Sequence, residues 1–74
     1  MNIQIVMNGS GDTRHEFDVA DAKALRRAEA RFRELTGRGF RAVALGENGE
    51  PNALMREFEP QVKRSLFVPQ LEGG

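Results

Sequence analysis

The 74-residue chain contains no cysteine, tryptophan or tyrosine, and only one histidine. Without cysteine it can form neither a disulfide framework nor a Cys-ligated zinc site, and it has no thiolate nucleophile of its own. Residues 1–7 are too short and too polar for a signal peptide, and no apolar run approaches the roughly 18 residues of a membrane span. At this length one domain is expected. We therefore expect a soluble, cytoplasmic protein that does not bind a membrane.

The basic and acidic residues, eleven of each, give a formal net charge of zero. Their distribution is uneven, because residues 21–41 carry a net charge of +4 and the ranges before and after carry −2 each. A nucleic-acid-binding domain usually has a larger basic excess and aromatic side chains on which bases stack. The only aromatic residues here are five Phe, most of them at positions that periodicity assigns to the core. A solvated basic helix and no nucleic-acid partner are expected.

The sequence contains no recognisable catalytic constellation. His15 is the only histidine, so with scattered carboxylates it forms neither a metal cluster nor a catalytic triad. The glycine-containing segment 9–11 lacks the lysine and spacing of a phosphate-binding loop and is typical of a turn. Glu57 and Glu59 lie beside a proline in a predicted surface connection. We expect a protein that is a substrate rather than an enzyme, with no catalytic residue, bound metal or cofactor.

The N-terminal segment has the pattern of a β-hairpin. Apolar residues recur at every second position of a half-buried strand: Ile3, Ile5 and Met7. Turn-forming residues over 8–12 then reverse the chain, because two glycines there can supply positive φ. The return strand, residues 13–19, is predicted to place Phe17 and Val19 on its buried face.

A helix is predicted from Ala22 to Thr36. Its apolar residues have helical spacing and form one stripe: Leu25, Ala28, Phe32 and Leu35. Asp18 or Asp21 can cap the start, since a carboxylate accepts hydrogen bonds from unpaired N–H groups there. Gly37 is predicted to cap the end.

The second half of the chain is predicted to form short strands joined by turns. These are a strand over 40–45, a loop over 46–52, a short strand over 55–58, a single helical turn over 59–64 and a last strand over 65–69. Pro69 cannot donate to a strand ladder, so regular pairing should weaken there. If the last strand lies parallel to the first, the order builds an α+β fold in which one mixed sheet wraps over one helix. Other small α+β sheets fit the same pattern.

The chain ends Leu71-Glu72-Gly73-Gly74. Two consecutive residues without Cβ allow the backbone to lie in a narrow channel, where an enzyme can reach the terminal carboxylate. Terminal glycines are also common in frayed ends that carry no function. We expect a folded domain over 1–71 and a flexible tail over 72–74, with Gly73 and Gly74 as the site of activation or conjugation.

In element order and spacing the whole chain resembles the β-grasp superfamily of ubiquitin and the sulfur carriers. Residues 66–74, Leu-Phe-Val-Pro-Gln-Leu-Glu-Gly-Gly, are similar to the end of the small molybdopterin-synthase subunit. That ending has aromatic residues, then proline, then an apolar residue two places before Gly-Gly. Ubiquitin has the same Gly-Gly but arginine where this chain has Glu72. The resemblance makes Pro69, Leu71 and Glu72 candidates for recognition of the tail by a partner.

The resemblance implies that a partner adenylating enzyme uses ATP to activate the carboxylate of Gly74. The glycine then becomes either a thioester that is passed to an amine of a target protein, or a thiocarboxylate that delivers sulfur. The chain also resembles bacterial ubiquitin-like proteins encoded beside an activating enzyme, a conjugating enzyme and a JAB-type metallopeptidase, some of which act in antiphage defence. A protein modifier is the first expectation, a sulfur carrier the second and a noncovalent binding module the third. Lys23 and Lys63 are candidate acceptors for chains of the modifier.

Overall fold

The computed structural model describes residues 1–70, in which one helix packs on one face of a five-stranded sheet. The elements are β1 (Asn2–Asn8), β2 (Gly11–Phe17), α1 (Ala22–Gly37), β3 (Phe40–Leu45), β4 (Pro51–Met55) and β5 (Arg64–Pro69). The strand order is β2-β1-β5-β3-β4; β5 runs parallel to β1, and all other neighbours are antiparallel. This is the predicted α+β architecture, a mixed sheet wrapped over one helix as in the β-grasp fold.

The core lies between α1 and the sheet. Its buried apolar residues come from five of the six elements: Val6, Phe32, Leu35, Ala42, Met55 and Phe67. Phe67 of the central strand β5 is fully buried, and its ring packs edge-on against that of Phe32 at a centroid distance of 5.7 Å. Phe58 extends this aromatic cluster, with its ring centroid 6.1 Å from that of Phe32 and 6.3 Å from that of Phe17. The cluster links the helix to β2 and to the central strand β5.

The predicted helix is confirmed, but its end is one residue later than expected. Asp21 is the N-cap, and its carboxylate accepts from the backbone amides of Lys23 and Ala24. Gly37 is not the terminating residue, because it is the last residue of α1 and Arg38 is the C-cap. The glycine with left-handed backbone is Gly39, at φ 97°. Of the predicted stripe, Ala28, Phe32 and Leu35 are buried and Leu25 is half-buried.

The prediction for β1 has the wrong face. The side chains that face the helix are Asn2, Gln4 and Val6, whereas Ile3 and Ile5 face the other side of the sheet and Met7 is 44% exposed. A one-residue shift in register exchanges the two faces of a strand, so the choice depends on how well each set is accommodated. Both inward amides have hydrogen-bond partners. Asn2 Nδ2 donates to the carbonyl oxygens of Pro60 and Val62, at 2.7 and 3.1 Å.

The hairpin turn is tighter than predicted. β2 starts at Gly11 and ends at Phe17, so the reversal occupies Gly9 and Ser10 alone. Phe17 is buried as predicted, but the placement of Val19 is wrong: it lies after the strand and is 44% exposed. The Asp18 carboxylate accepts from the amide of Ala20, which turns the chain towards the helix before Val19 can continue the ladder.

The predicted strand over 55–58 is wrong in its bounds, because β4 covers Pro51–Met55. The turn after β3 closes early: the Gly46 amide donates to the Glu50 carbonyl at 2.7 Å, and Gly49 has a φ of 81°. The chain is therefore ready to pair from Pro51 onwards. A proline is tolerated there since β4 lies at the edge of the sheet.

The last connection and the last strand follow the prediction more closely. Residues 59–62 form a single turn closed by a 3.1 Å bond from the Val62 amide to the Glu59 carbonyl. β5 begins one residue before the predicted start and pairs in parallel with β1. Its position between β1 and β3 places the last described strand in the centre of the sheet.

Candidate functional site

The four residues expected to carry the chemistry or its recognition at the chain end, Leu71, Glu72, Gly73 and Gly74, lie outside the described residues. Pro69 is the last residue of β5, is exposed, and is paired in register with Phe40. The next amide, that of Gln70, donates to the carbonyl of Gly39 at 3.3 Å. Pairing with β3 is thus kept as far as Pro69, although a proline cannot donate to it.

The end of β5 lies beside the end of the helix. Arg38, Gly39, Phe40, Pro69 and Gln70 together line a shallow depression of about 230 Å³. The guanidinium of Arg38 is 3.4 Å from the carboxylate of Glu34 and two thirds exposed. A partner that approaches the chain at Gln70 therefore meets a basic and accessible side chain next to the exposed ring of a proline.

The face of the sheet opposite the helix carries a band of apolar side chains. The register of the five strands places one residue from each in a single row: Arg14, Ile5, Leu66, Val43 and Leu54. We call Ile5, Leu66, Val43 and Leu54 the open-face row. Leu54 is 54% exposed and the other three are half-buried, because no element among the described residues packs over this face. Contiguous exposed apolar surface on a small domain is typical of an interaction site.

Sequence reasoning did not identify the open-face row. The alternation in β1 predicts Ile5 on the buried face, whereas the structure places it on the open face. In β3 both parities are apolar, with Ala42 and Ala44 towards the helix and Val43 and Leu45 away from it. The run Ala42–Leu45, which follows the exposed Arg41, is apolar at every position, a pattern typical of a strand covered on both faces. That composition was the available signal for a second buried or docking surface.

Lys23 and Lys63, the candidate acceptors, are both exposed. Lys23 is in the first turn of α1, and Lys63 immediately precedes β5, where its carbonyl accepts from the Ile3 amide at 2.8 Å. The structure does not bring the two lysines together with the chain end at Gln70 into one site.

The basic side chains of the helix and of its C-cap differ in whether they have an ion-pair partner. Arg33 and Arg38 each lie within reach of a glutamate one turn earlier, at 3.1 and 3.4 Å. Lys23, Arg26 and Arg27 form no ion pair with any other residue of the described range 1–70. Lys23, Arg27 and Arg31 follow one another at four-residue spacing, so they form one stripe along the helix, which we call the basic stripe.

Arg31 links the basic stripe to the sheet. Its Nη1 donates to Oε1 of Gln4 at 2.8 Å, and Nε2 of Gln4 donates to the backbone carbonyl of Ala28 at 3.0 Å. His15 is paired with Gln4 in the sheet register and faces the same side. Burial, and secondarily the positive charge of Arg31, lower the pKa of His15 below the usual value of 6.5.

Within residues 1–70, no group of three or more histidine, aspartate or glutamate side chains is arranged to hold a metal ion. The described part of the chain contains no helix with the length and apolarity that a bilayer span needs. Comparison with known proteins returns no match to a family model, to a curated protein or to a solved structure. The resemblance to the β-grasp families therefore depends on element order, topology and the residues of the tail.

Proposed function

We propose that the protein is a ubiquitin-like modifier whose terminal glycine is joined to amines of target proteins. The observation that carries the proposal is the combination of a β-grasp domain with Gly73-Gly74 after its last strand. Two residues without side chains suit entry into the narrow active site of an adenylating enzyme. Gly74 is the reacting residue, and the chain is a substrate with no catalytic role of its own.

The chemistry is supplied by partners. The Gly74 carboxylate attacks the α-phosphate of ATP on an activating enzyme and displaces pyrophosphate, which gives an acyl adenylate. A cysteine thiolate of the enzyme then attacks the acyl carbon and releases AMP. The thiolate belongs to the enzyme, because this chain has no cysteine. An amine of a target protein finally displaces the thiol to form an isopeptide bond. A conjugating enzyme for the transfer and a JAB-type metallopeptidase for removal are further proposed partners.

The position of β5 suits a chain that is a substrate of partner enzymes. The strand is held by ladders on both sides, by β1 and by β3, and buries Phe67 completely. A force on the chain beyond Gln70 therefore acts on a strand that is hydrogen-bonded on both sides and packed in the core. Pro69, Leu71 and Glu72 are the proposed recognition residues before the glycines. A partner that buries the carboxylate of Glu72 needs a positively charged group beside it, because a buried charge without a counter-charge is costly.

The open-face row is the proposed surface by which the activating enzyme holds the domain. It lies on β5 and its neighbours, the strand that leads to the chain end. Leu54 is its most exposed member, so a charge there should weaken binding without unfolding the domain. Ala53→Asp is a matched control, because Ala53 is exposed on the same strand but has the opposite parity.

A sulfur carrier is the second candidate, favoured by the order Phe67, Pro69, Leu71 before Gly-Gly that resembles the small molybdopterin-synthase subunit. A noncovalent binding module, which would use the open-face row alone, is the third. Because of the resemblance to bacterial systems of antiphage defence, we propose that the modifier acts in the cytoplasm of a bacterium. Lys23 and Lys63 are the proposed acceptors of a second copy.

The test uses the chain with an N-terminal tag in its native cells, compared with a Gly74→Asp variant and the Leu54→Asp and Ala53→Asp variants. Mass spectrometry of material purified under denaturing conditions identifies what is bound to Gly74. Isopeptide bonds to protein amines support the modifier, and replacement of one terminal oxygen by sulfur supports the carrier. Covalent adducts should disappear in Gly74→Asp, fall in Leu54→Asp and persist in Ala53→Asp. A carboxylate that stays free in all four contradicts both covalent functions.

A further inference from the structure

The dipeptide Asn-Gly occurs twice in the chain, each time at a turn between two strands. Asn8-Gly9 lies between β1 and β2, and Asn48-Gly49 lies between β3 and β4. Asparagine is thermolabile, most of all before glycine, because no Cβ keeps the next backbone nitrogen away from the carboxamide. Both asparagines are exposed. A difference in reactivity between the two sites must therefore come from their surroundings.

The backbone nitrogen of Gly9 is free to react. Within residues 1–70 its amide donates no hydrogen bond, although the flanking residues Asn8 and Gly11 are paired in the sheet register. A Cβ added at Gly9 would meet nothing within 4 Å, so the space around this residue is open. To attack the Asn8 side chain, the nitrogen has to lose its proton and approach Cγ. Neither step breaks a hydrogen bond of the Gly9 amide to the described residues.

The carboxamide of Asn8 is polarised by Ser10. Oδ1 of Asn8 accepts from the backbone amide of Ser10 at 2.9 Å and from its hydroxyl, Oγ, at 2.9 Å. When a nucleophile adds to Cγ, negative charge develops on Oδ1. Donors that already point at such an oxygen stabilise the transition state. The Ser10 donors therefore favour attack on the Asn8 carboxamide.

Asn48-Gly49 lacks both features. The Gly49 amide donates to the Gly46 carbonyl at 3.0 Å, so loss of its proton breaks a hydrogen bond. The Asn48 amide donates to the carboxylate of Glu50 at 2.9 Å, and this negative charge opposes formation of a second one nearby. Among residues 1–70 no group donates to the side-chain oxygen of Asn48. The second Asn-Gly is thus protected by its own turn.

We propose that Asn8-Gly9 is a self-modification site, at which the side-chain amide of Asn8 is lost through a cyclic imide. The Gly9 nitrogen gives its proton to hydroxide and attacks Cγ of Asn8. The new N–C bond forms, the bond from Cγ to Nδ2 breaks, and Nδ2 takes a proton from water and leaves as ammonia. Water then adds to either carbonyl of the imide, which opens to aspartate or to isoaspartate. The only reactant besides the chain is water.

The product changes the end of the sheet from which the chain end leaves. β1 and β5 are parallel, so the turn after β1 lies at the same end of the sheet as Pro69. One new carboxylate changes the formal net charge of the chain from zero to −1. Isoaspartate also adds one main-chain atom before Gly9, while the core begins only at Val6 of β1. The modified domain stays folded, and the reaction does not depend on the fate of Gly74.

The test follows both sites in one sample. The full chain is incubated at neutral pH, digested briefly under mildly acidic conditions, and the conversion of Asn8 and Asn48 is measured by peptide mass spectrometry over time. In the folded chain Asn8 should react at least about tenfold faster than Asn48. In concentrated urea, where both surroundings are lost, the two rates should agree within about threefold. Anion-exchange chromatography should show a more acidic form that accumulates at the rate of the Asn8 reaction.

Variants of Ser10 test the polarising hydroxyl. Ser10→Ala should slow the reaction of Asn8 by about threefold or more, and Ser10→Thr, which keeps a hydroxyl, should stay within about twofold of the parent. Ser10 is exposed, so both variants should melt as the parent does, and Asn48 should be unaffected. Asn8→Gln should abolish the more acidic form. Equal rates at Asn8 and Asn48 in the folded chain, an unchanged rate in Ser10→Ala, or no conversion of Asn8 would overturn the proposal.

Discussion

The carboxamide of Gln4 crosses from the sheet to the helix, where Nε2 donates to the carbonyl oxygen of Ala28 at 3.0 Å. Gln4 is only 1% exposed and its Oε1 accepts from Arg31, so both ends of the amide have partners. Among the described residues no buried side-chain nitrogen or oxygen lacks a partner. These hydrogen bonds link the helix to β1, and they explain why a polar residue occupies a core position of β1.

The first prediction concerns this amide. Gln4→Met keeps the volume but removes both hydrogen bonds, so it should lower the free energy of unfolding by about 1–2 kcal/mol. Gln4→Ala also leaves a cavity and should lower it by about 2–4 kcal/mol. Urea denaturation measures both values, and the exposed Gln61→Met is the control, expected within about 0.5 kcal/mol of the parent. Equal stability of Gln4→Met and the parent would contradict a stabilising role of the Gln4 hydrogen bonds.

The second prediction concerns the two glycines at the end of the helix. Gly37 is helical with open space around it, so Gly37→Ala should stabilise the protein by about 0.5–1 kcal/mol. Gly39 has a φ of 97°, and Gly39→Ala should destabilise it by about 1–3 kcal/mol although nothing obstructs a Cβ there. Thermal melting of the pair gives the answer. A destabilising Gly37→Ala together with a stabilising Gly39→Ala would mean that Gly37 is the residue that ends the helix.

The third prediction concerns Phe32, which contacts both Phe58 and Phe67. Phe32→Ala should cost about 3–5 kcal/mol, a large part of the roughly 4–11 kcal/mol expected for a domain of this size. Because this variant can fail to fold, Phe32→Leu is measured beside it and should cost clearly less. A near-neutral Phe32→Ala in denaturant titration would mean that the helix packs through another face.

The fourth prediction is a pH dependence of stability. The pKa of His15 is lowered in the folded state by burial and by Arg31, so the unfolded chain binds a proton at a higher pH than the folded chain does. Stability should therefore fall as the pH drops below about 6.5, and level off below the folded pKa. His15→Gln should show a smaller loss between pH 7.5 and 5.5 in urea midpoints. An identical loss in both proteins would assign the effect to other groups.

Much of the fold could be predicted from the sequence, because α1 has a strong helical period and an aspartate at its start, and β5 is bounded by turn residues. The face of β1 that packs against the helix could not be predicted. The partners of Gln4 lie 24 and 27 residues away in the chain, at Ala28 and Arg31, so no local pattern indicates that an amide belongs inside. The start of β4 differs from the prediction for another reason: a local bond from the Gly46 amide to the Glu50 carbonyl closes the preceding turn early, and the strand then begins at Pro51.

The residues of the candidate site also differ in whether the sequence alone could identify them. Gly73, Gly74 and the two lysines can be read from composition and position alone. The open-face row depends on strand order, which puts Ile5, Leu66, Val43 and Leu54 in one line. Residues from four separate strands have no common spacing in the chain, so only the sheet register brings them together.

The central claim is that Gly74 forms covalent bonds with protein amines. The most direct measurement is peptide mass spectrometry of the N-terminally tagged chain, purified under denaturing conditions from its native cells and digested together with whatever is attached. The account predicts peptides in which the carbonyl of Gly74 is joined to a lysine or N-terminal amine of another protein, and their loss in the Gly74→Asp variant. A C-terminal peptide found only with a free carboxylate, or one that continues beyond Gly74 without processing, would contradict the claim.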